Sequence, residues 1–498
     1  MLKRSAIFVH RWLGVGLCLV FLLWFPSGIG MMYWDFPSVS AGDRLERAPG
    51  LNAADIRLSA LEALATLGRS EAPSDVRLNV FDGRPVYRFV TGHGEILVYA
   101  DTGARQVDVS QELMRRVASA WTRQPASAAT LERIDDPDQW TVQDSLRKIR
   151  PLWKYSWPTG DQVYVSQASG DVVQYTTTAS RMGAFLGPIP HWLYFTPLRK
   201  HQRPWRAIVI WASAIGTVAA LLGIVIGIWT LSPSRRYRYA GDPTSIPYRG
   251  FKRWHDVLGL IFGVGAATWA FSGLLSMDPF PATTSEAPAA DHTRESKGVP
   301  QALRDPLSMD AFASRHPRDA LSSVASRNVK ELELVSVGGE PVYLATLGGG
   351  ETRILALDGD ARTEFDRRRI GEIVVKAAAP AGLAELRELT QYDRYYRDRR
   401  RHLPLPVLLA RLNGADQTRY YIDPRTARIV GHYSASSWIN RWLYHGLHSL
   451  DFPWLYNYRP AWDIVMIAFL IGGTALCVTA LILAWGVVGR TLSGDIRT

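Results

Sequence analysis

The sequence contains HRWLG at residues 10–14 and WHDVLG at residues 254–259, each at the start of a long apolar run. Four windows carry no charged residue, and each is long enough to cross a hydrocarbon core of about 30 Å as a helix. They cover residues 12–34, 207–231, 257–277 and 464–489. Backbone polar groups inside lipid must be satisfied within their own segment, so helices are expected. The pattern predicts an integral membrane protein.

A cleaved signal peptide is the alternative for the first window, because a basic segment precedes it. The apolar run is longer than such peptides need. Trp24, Pro26 and the Tyr33-Trp34 pair also differ from the small residues of a cleavage site. A retained transmembrane helix is favoured.

The distribution of Lys and Arg predicts the orientation of the chain. Basic residues precede the first helix and are concentrated in the connector between the second and third helices. Both termini and this connector are therefore expected in the cytoplasm. The predicted order is helix 1–34, external domain 35–204, helix 205–231, connector 232–253, helix 254–277, external domain 278–461, helix 462–489 and tail 490–498.

The net charge of +11 follows partly from this topology and gives no argument for nucleic-acid binding. The two cysteines, Cys18 and Cys477, both lie in apolar windows. The external domains therefore contain neither a disulfide framework nor a thiolate metal site.

The chain is a tandem duplication. A shift of 245 positions places His10 on His255, Gly14 on Gly259 and Trp24 on Trp269, and the matches continue at Leu13, Ser27 and Gly28. RPWRAIVIWASAIG at 203–216 likewise resembles RPAWDIVMIAFLIGG at 459–473. Each half then consists of a helix, an external domain and a second helix, as parallel repeats.

The external segments share a strand, glycine turn and strand pattern. It occurs at 85–103, 161–177, 341–360 and 418–434, with apolar helical stretches such as 58–67 and 111–121 between hairpins. Two small α+β modules are predicted in each external domain. Residues 281–300, rich in Ala, Pro, Thr and Ser, predict a flexible exit from the third helix. The predicted fold class is an α+β membrane protein with four transmembrane helices and two extracytoplasmic α+β domains.

The duplicated histidines have the spacing of a haem site. His10 and Gly14 share a helix face, as do His255 and Gly259. Each pair offers an imidazole nitrogen, a common axial ligand of haem iron, beside bare backbone on which a flat macrocycle can lie. Repeats in the same orientation place His10 and His255 at the same membrane depth. The alternative is that each histidine caps its helix or lies among lipid headgroups.

A second pair is predicted on the outer side. His191 and His448 each lie 14 residues before the Trp that opens a returning helix, Trp205 or Trp462. Alignment on the shared Trp-Leu-Tyr sequence instead sets Arg441 against His191. His445 and His201 are the substitute ligands, and interfacial histidines among Trp and Tyr belts are the structural alternative. The remaining histidines show no metal spacing: His93, His292, His316, His402 and His432.

Basic residues near both pairs are candidates for binding haem propionates. On the inner side these are Arg11, Arg253, Lys3, Arg4 and Lys252, and on the outer side Arg199, Lys200 and Arg203. Orientation signals alone explain any one of them equally well. The external run YDRYYRDRRRHLPLP at 392–406 could receive an anionic or catecholate ligand, although a solvated charged face is the more common role.

The helix-start motifs, the hairpins and RWLYHGLHSLDFPWLY at 441–456 resemble the PepSY-associated transmembrane helix family over nearly the whole chain. The resemblance implies PepSY domains outside and, in some members, an inner-membrane haem-containing reductase of ferric siderophores. It implies His10, His255, His191 and His448 as ligands of two b-type haems. This chain departs from the pattern in having His445 close to His448.

Two functions follow as expectations. The first is a haem-dependent ferric reductase of the bacterial inner membrane, with its large domains in the periplasm. It takes electrons from quinol or a cytoplasmic reductase and passes them to an external ferric siderophore or other Fe(III) chelate. The second is a non-enzymatic module that binds peptides or regulates a protease or transporter.

Overall fold

A computed structural model describes residues 1–68, 72–107, 109–277, 298–324, 327–379, 382–398, 400–438 and 440–492. Most of the predicted flexible exit, His292 and Arg399 therefore lie outside the described residues.

The structure contains both helices and strands, as the predicted fold class requires. The helices are α1 (Leu2–Tyr33), α2 (Ala41–Arg47), α3 (Ala60–Ala65), α4 (Gln111–Thr122), α5 (Thr178–Leu186), α6 (Pro188–Trp192), α7 (Thr196–Arg199), α8 (Gln202–Thr230), α9 (Gly250–Leu275), α10 (Gly298–Leu303), α11 (Pro317–Ser322), α12 (Arg367–Ala377), α13 (Pro453–Tyr456) and α14 (Ala461–Leu492). A π-helical segment covers Asn440–Gly446.

The strands form antiparallel ladders. They are β1 (Asp75–Phe81), β2 (Arg84–Thr91), β3 (Gly94–Tyr99), β4 (Thr130–Ile134), β5 (Leu152–Ser156), β6 (Gln162–Ser166), β7 (Val172–Thr176), β8 (Tyr237–Tyr239), β9 (Asp242–Thr244), β10 (Val329–Val337), β11 (Glu340–Leu347), β12 (Thr352–Ala356), β13 (Ala361–Arg362), β14 (Leu383–Leu389), β15 (Val407–Leu412), β16 (Arg419–Asp423) and β17 (Arg428–Tyr433). All four predicted hairpins are present, as β2–β3, β6–β7, β11–β12 and β16–β17.

Within the described residues, four helices are long and apolar enough to cross a membrane, namely α1, α8, α9 and α14. They form a bundle in which α1 and α9 each pack against both α8 and α14. The duplicated first helices of the two halves therefore lie on one diagonal of the bundle. Aromatic rings fill the space beside glycines, with Phe25 against Gly473 and Phe262 against Gly472. Small residues let helices approach closely in this way.

The two segments between the helix pairs join in a way that the duplication did not predict. Their first modules form one seven-stranded sheet, in the order β13-β12-β11-β10-β1-β2-β3. Strands β1 and β10 pair across the two halves, with Val76 opposite Leu334 and Leu78 opposite Leu332. All four of these side chains are buried in one core. The pairing of β1 with β10 therefore removes two exposed strand edges and also buries apolar surface. The two predicted external segments therefore share one sheet.

The second module of each half forms its own four-stranded sheet, β4-β5-β6-β7 in the first half and β14-β15-β16-β17 in the second. The amphipathic helix α4 packs against the first of these sheets, and α12 packs against the second. We refer to all three sheets and their helices as the sheet region. A short hairpin, β8–β9, occupies the connector at the other end of the bundle.

Candidate functional site

His10 and His255 face each other at the connector end of the bundle, and we call them the connector-side pair. His10 lies on α1 and His255 on α9, the helices on one diagonal. Their ring centroids are 6.2 Å apart and the rings are inclined by 43°. The duplicated motif therefore brings its two imidazoles together, as predicted.

Hydrogen bonds at Nδ1 define the tautomer of both rings. His10 Nδ1 lies 2.8 Å from the carbonyl oxygen of Ala219, which can only accept, so Nδ1 carries the proton. His255 Nδ1 lies 3.1 Å from Thr479 Oγ1, whose own hydrogen is donated to the Leu476 carbonyl at 2.7 Å. The hydroxyl oxygen therefore accepts from His255. In both rings the lone pair is left on Nε2.

A cavity of about 360 Å³ adjoins the connector-side pair and is lined by both histidines, Gly14 and Gly259. A Cβ added at Gly14 would meet nothing within 4 Å, and one at Gly259 only a Leu476 methyl at 3.9 Å. Bare backbone thus faces the cavity beside each imidazole. Gly223, by contrast, packs directly against His10. A Cβ at Gly223 would lie 2.8 Å from His10 Cε1 and displace the ring.

The cations beside this cavity differ in part from the predicted set. Arg11 and Lys252 line it, and so does Arg490, which the sequence did not single out. Arg253 instead points into the connector, where it donates to Thr244 Oγ1 at 3.1 Å. Of the other two predicted inner cations, Lys3 donates to the Trp229 carbonyl and Arg4 is exposed and outside the cavity lining.

His191 and His448 form a second pair at the end of the bundle next to the sheet region, and we call them the sheet-side pair. His191 lies on α6, and His448 follows the π-helical segment. Their ring centroids are 5.9 Å apart, with the rings inclined by 71°. Burial lowers the pKa of His191 to about 4. Burial, with His191 and His445 nearby, lowers the pKa of His448 to about 3, so both rings are neutral at pH 7.

The rings of the sheet-side pair are oriented by hydrogen bonds at Nδ1, as are those of the connector-side pair. His191 Nδ1 lies 3.2 Å from Ser27 Oγ and 3.2 Å from the Trp24 carbonyl. His448 Nδ1 lies 2.9 Å from Ser272 Oγ. Each serine donates its own hydrogen to a carbonyl of its helix, so its oxygen accepts from the imidazole. Nδ1 again carries the proton, and Nε2 keeps its lone pair.

Two tryptophans establish that His191 and His448 are equivalent. Trp205 Nε1 donates to the carbonyl of Trp192, the residue after His191, at 2.8 Å. Trp462 Nε1 donates to the carbonyl of Ser449, the residue after His448, at 2.9 Å. The count back from each Trp is therefore the correct alignment, and the alternative on Trp-Leu-Tyr is wrong.

The two substitute ligands differ in position, because His445 lines the cavity beside the sheet-side pair and His201 does not. His445 lines the sheet-side cavity, with its ring 4.6 Å from that of Tyr444. His201 is exposed at the start of α8 and does not line the cavity. Arg441, which the rejected alignment set against His191, is buried beside Asp451.

The sheet-side pair lines a cavity of about 460 Å³. Gly28 and Gly273, another duplicated pair, are part of its wall. None of the predicted cations Arg199, Lys200 and Arg203 lines it; the buried Arg199 guanidinium lies over the rings of Tyr194 and Trp205. Arg397, from the run at 392–406, is the arginine in the lining.

The two cavities share a wall formed by Phe21 and Phe25, which line both. These rings are 6.1 Å apart and stacked, and Phe25 lies 5.7 Å from Trp269. The two histidine pairs therefore belong to neighbouring chambers within one bundle.

The side chains that orient the imidazoles carried a partial signal in the sequence. Ser27 and Ser272 were visible as duplicated identities but had no assigned role. Thr479 gave no such signal, because the equivalent position in the first half is Leu222. Among the described residues, no group of three His, Cys, Asp or Glu side chains could hold a bare metal ion.

The family comparison agrees with the bundle and its motifs. The family model described as the PepSY-associated TM region matches residues 8–357, more than half of the chain. The chain belongs to this family. The match includes three of the four paired histidines of this PepSY-associated protein, and His448 lies beyond its end. A comparison with curated proteins finds no match.

Proposed function

We propose that this chain is a two-haem protein of the bacterial inner membrane that carries electrons outward and reduces a ferric complex in the periplasm. The observation that supports the proposal most directly is the presence of two facing imidazole pairs, each with Nδ1 engaged and Nε2 available. Haem b, when bound, supplies one-electron redox chemistry.

The spacing of each pair suits two imidazoles that would hold one haem iron between them. A metal–imidazole distance of about 2.0 Å on each side requires ring centroids about 6 Å apart. The observed separations are 6.2 Å and 5.9 Å. Two histidines that capped separate helices would have no reason to meet at this spacing, in two places.

The chain's own residues then have defined roles. The acceptors at Nδ1 hold each ring in orientation and increase its basicity as a ligand. Gly14 and Gly259 leave space for a flat ring beside the connector-side pair. Arg11, Lys252 and Arg490 supply positive charge on the same cavity for carboxylate groups.

The charge distribution supports an outward direction. The connector carries Arg235, Arg236, Arg238 and Arg249, which favours a cytoplasmic location and leaves the sheet region in the periplasm. The short cytoplasmic segments contain no flavin or nicotinamide motif, so quinol or a separate cytoplasmic reductase is the expected donor. One electron converts Fe(III) in a siderophore or similar chelate to Fe(II), which hard oxygen ligands bind less tightly.

Absorption spectroscopy of the purified protein tests the proposal. Protein from haem-replete cells should show a Soret band that shifts on reduction, with two haems per chain. His10→Ala and His255→Ala should remove the same haem, and His191→Ala and His448→Ala the other. His201→Ala, at an exposed histidine outside both cavities, is the control. A colourless wild-type protein contradicts the proposal and favours a peptide-binding or regulatory module.

A further inference from the structure

Resting on the proposed function, we infer that Arg397, in a buried cluster with Asp451 and Arg441, binds a carboxylate at the wall of the sheet-side cavity. Arg397 Nε lies 3.0 Å from Asp451 Oδ1, and Arg441 Nη1 lies 3.7 Å from Asp451 Oδ2. The two arginine side chains are only 6% and 3% exposed. Two buried cations thus share a single carboxylate.

The neighbouring carboxylates are already engaged. Asp35, which also lines the cavity, forms an ion pair with Arg400. Asp398 accepts from the backbone N–H of Arg400 at 2.9 Å and holds its own loop. Asp393 accepts from Tyr421 and from backbone N–H groups. Within the Arg397–Arg441–Asp451 cluster, two buried cations share one carboxylate, and buried charges are costly unless they are paired.

The cluster can reach a ligand only through Arg397. Arg441 is tied down by its donation to the Arg394 carbonyl at 2.6 Å and to the Asp451 carbonyl at 3.0 Å. Arg397 lines the cavity together with Asp451, and its guanidinium stacks on Tyr456 at 4.0 Å from the ring centroid. Stacking fixes the plane of the guanidinium, Nε faces Asp451 and Nη2 donates to Asn457 Oδ1 at 3.5 Å, so Nη1 is the nitrogen that we assign to the carboxylate.

The carboxylate can come from two sources, a propionate of the macrocycle or an acid group of the external ferric complex. Of the arginines in the run at 392–406, Arg397 is the described one that lines the cavity, whereas Arg400 faces Asp35. Among the described residues of that run, Arg397 is therefore the ligand-binding residue, and Arg441 is a positioning residue.

Ligand titrations separate the two sources. In a His10→Ala background, which leaves the sheet-side pair, the full-length apoprotein is titrated with haem and with haem dimethyl ester, which lacks carboxylates. If a propionate is bound, the parent protein should prefer haem by roughly ten- to a hundredfold, the worth of a charge-assisted bond. Arg397→Gln should abolish the preference, and Arg397→Lys should retain part of it. Arg400→Gln, in the same loop, is the matched control.

The second arm measures binding of radiolabelled ferric citrate and ferric acetohydroxamate, of which only citrate carries carboxylates. If the external ligand is the source, Arg397→Gln should weaken citrate binding about tenfold and leave acetohydroxamate unchanged. If Arg397→Gln alters neither the haem preference nor citrate binding, the inference is overturned. A parent protein that binds neither haem nor its diester contradicts the proposed function, and the citrate arm still decides on the carboxylate site.

Discussion

The four imidazoles share one arrangement at the scale of single residues. In each, Nδ1 donates to a carbonyl or to a hydroxyl whose own hydrogen is already used. A neutral histidine has one donor and one acceptor nitrogen, so fixing Nδ1 as the donor prepares Nε2 as the ligand. The availability of Nε2 at these sites therefore depends on the residues that bind Nδ1.

Thr479→Val tests this dependence. The substitution keeps the shape of the side chain but removes the oxygen that accepts from His255 Nδ1. We expect the affinity of the connector-side haem to fall by roughly tenfold, as for other residues that orient metal ligands. Thr474→Val on the same helix removes a hydroxyl that bonds only to the Leu470 carbonyl, and it should leave haem affinity unchanged. Equal effects of the two variants would contradict the assigned role.

Gly14→Leu tests whether bare backbone is required beside His10. A Cβ at this position would meet no protein atom within 4 Å and Gly14 lines the cavity, so the larger side chain should block the macrocycle and not the fold. Leu also favours the helix by roughly 0.8 kcal/mol over Gly. We expect loss of the connector-side haem, measured by pyridine haemochrome, with unchanged thermal stability.

Gly16→Leu is the matched control for this prediction. A Cβ at Gly16 also meets nothing within 4 Å, but Gly16 is exposed on the bundle surface and lines neither cavity. If Gly16→Leu removed haem as fully as Gly14→Leu, a general disturbance of α1 would explain both results.

At the scale of elements, the sequence patterns predicted those helices and hairpins that depend on residues close together in the chain. The apolar windows and hairpins predicted the helices α1, α8, α9 and α14 and the strand pairs, because both depend on nearby residues. The joining of β1 to β10 depends on two edges about 250 residues apart in sequence, and a strand pattern does not name its partner. The histidine pairs were predicted only in part. The duplication predicted that His10 meets His255, but it left the alignment of His191 with His448 open.

The seam between the two halves of the seven-stranded sheet should depend on Glu333, which lies opposite Arg77 of β1 in the register. This buried carboxylate on β10 accepts from Arg304 at 2.6 Å and from Arg428 at 2.8 Å. Glu333→Ala leaves two arginines without their partner and should cost about 3–5 kcal/mol. Faster amide hydrogen exchange in β1 and β10 would report this loss.

Glu351→Ala controls for the removal of a carboxylate from the same sheet. Glu351 is 63% exposed and pairs with Arg353 at 3.2 Å. Exposed ion pairs contribute about 0–1 kcal/mol, so exchange in β1 and β10 should remain close to that of the wild type. If the amides of β1 and β10 remain protected from exchange in Glu333→Ala, the strand pairing and its apolar contacts are sufficient to stabilise the seam.

At the scale of the whole molecule, the duplication produces two chambers in series. Each chamber contains one facing imidazole pair with one member from each half, and Phe21 and Phe25 from the first half separate the two chambers. The basic connector lies next to one chamber and the sheet region next to the other. If each chamber holds a haem, as proposed, electrons can cross from the connector end to the sheet-region end without a conformational change.

This arrangement predicts an obligatory order of electron transfer. In vesicles with the sheet region facing outward, a membrane-impermeant ferric chelate added outside should oxidise both reduced haems of the wild-type protein. His191→Ala removes the sheet-side haem, and the connector-side haem lies behind Phe21, Phe25 and the rest of the bundle. It should then stay reduced over the time in which the wild type is fully oxidised, as followed by its absorption bands. His201→Ala, an exposed histidine at the same end of the bundle, should behave like the wild type. Oxidation of the connector-side haem at the wild-type rate in His191→Ala would mean that the external acceptor reaches it by another route, and the serial order would be wrong.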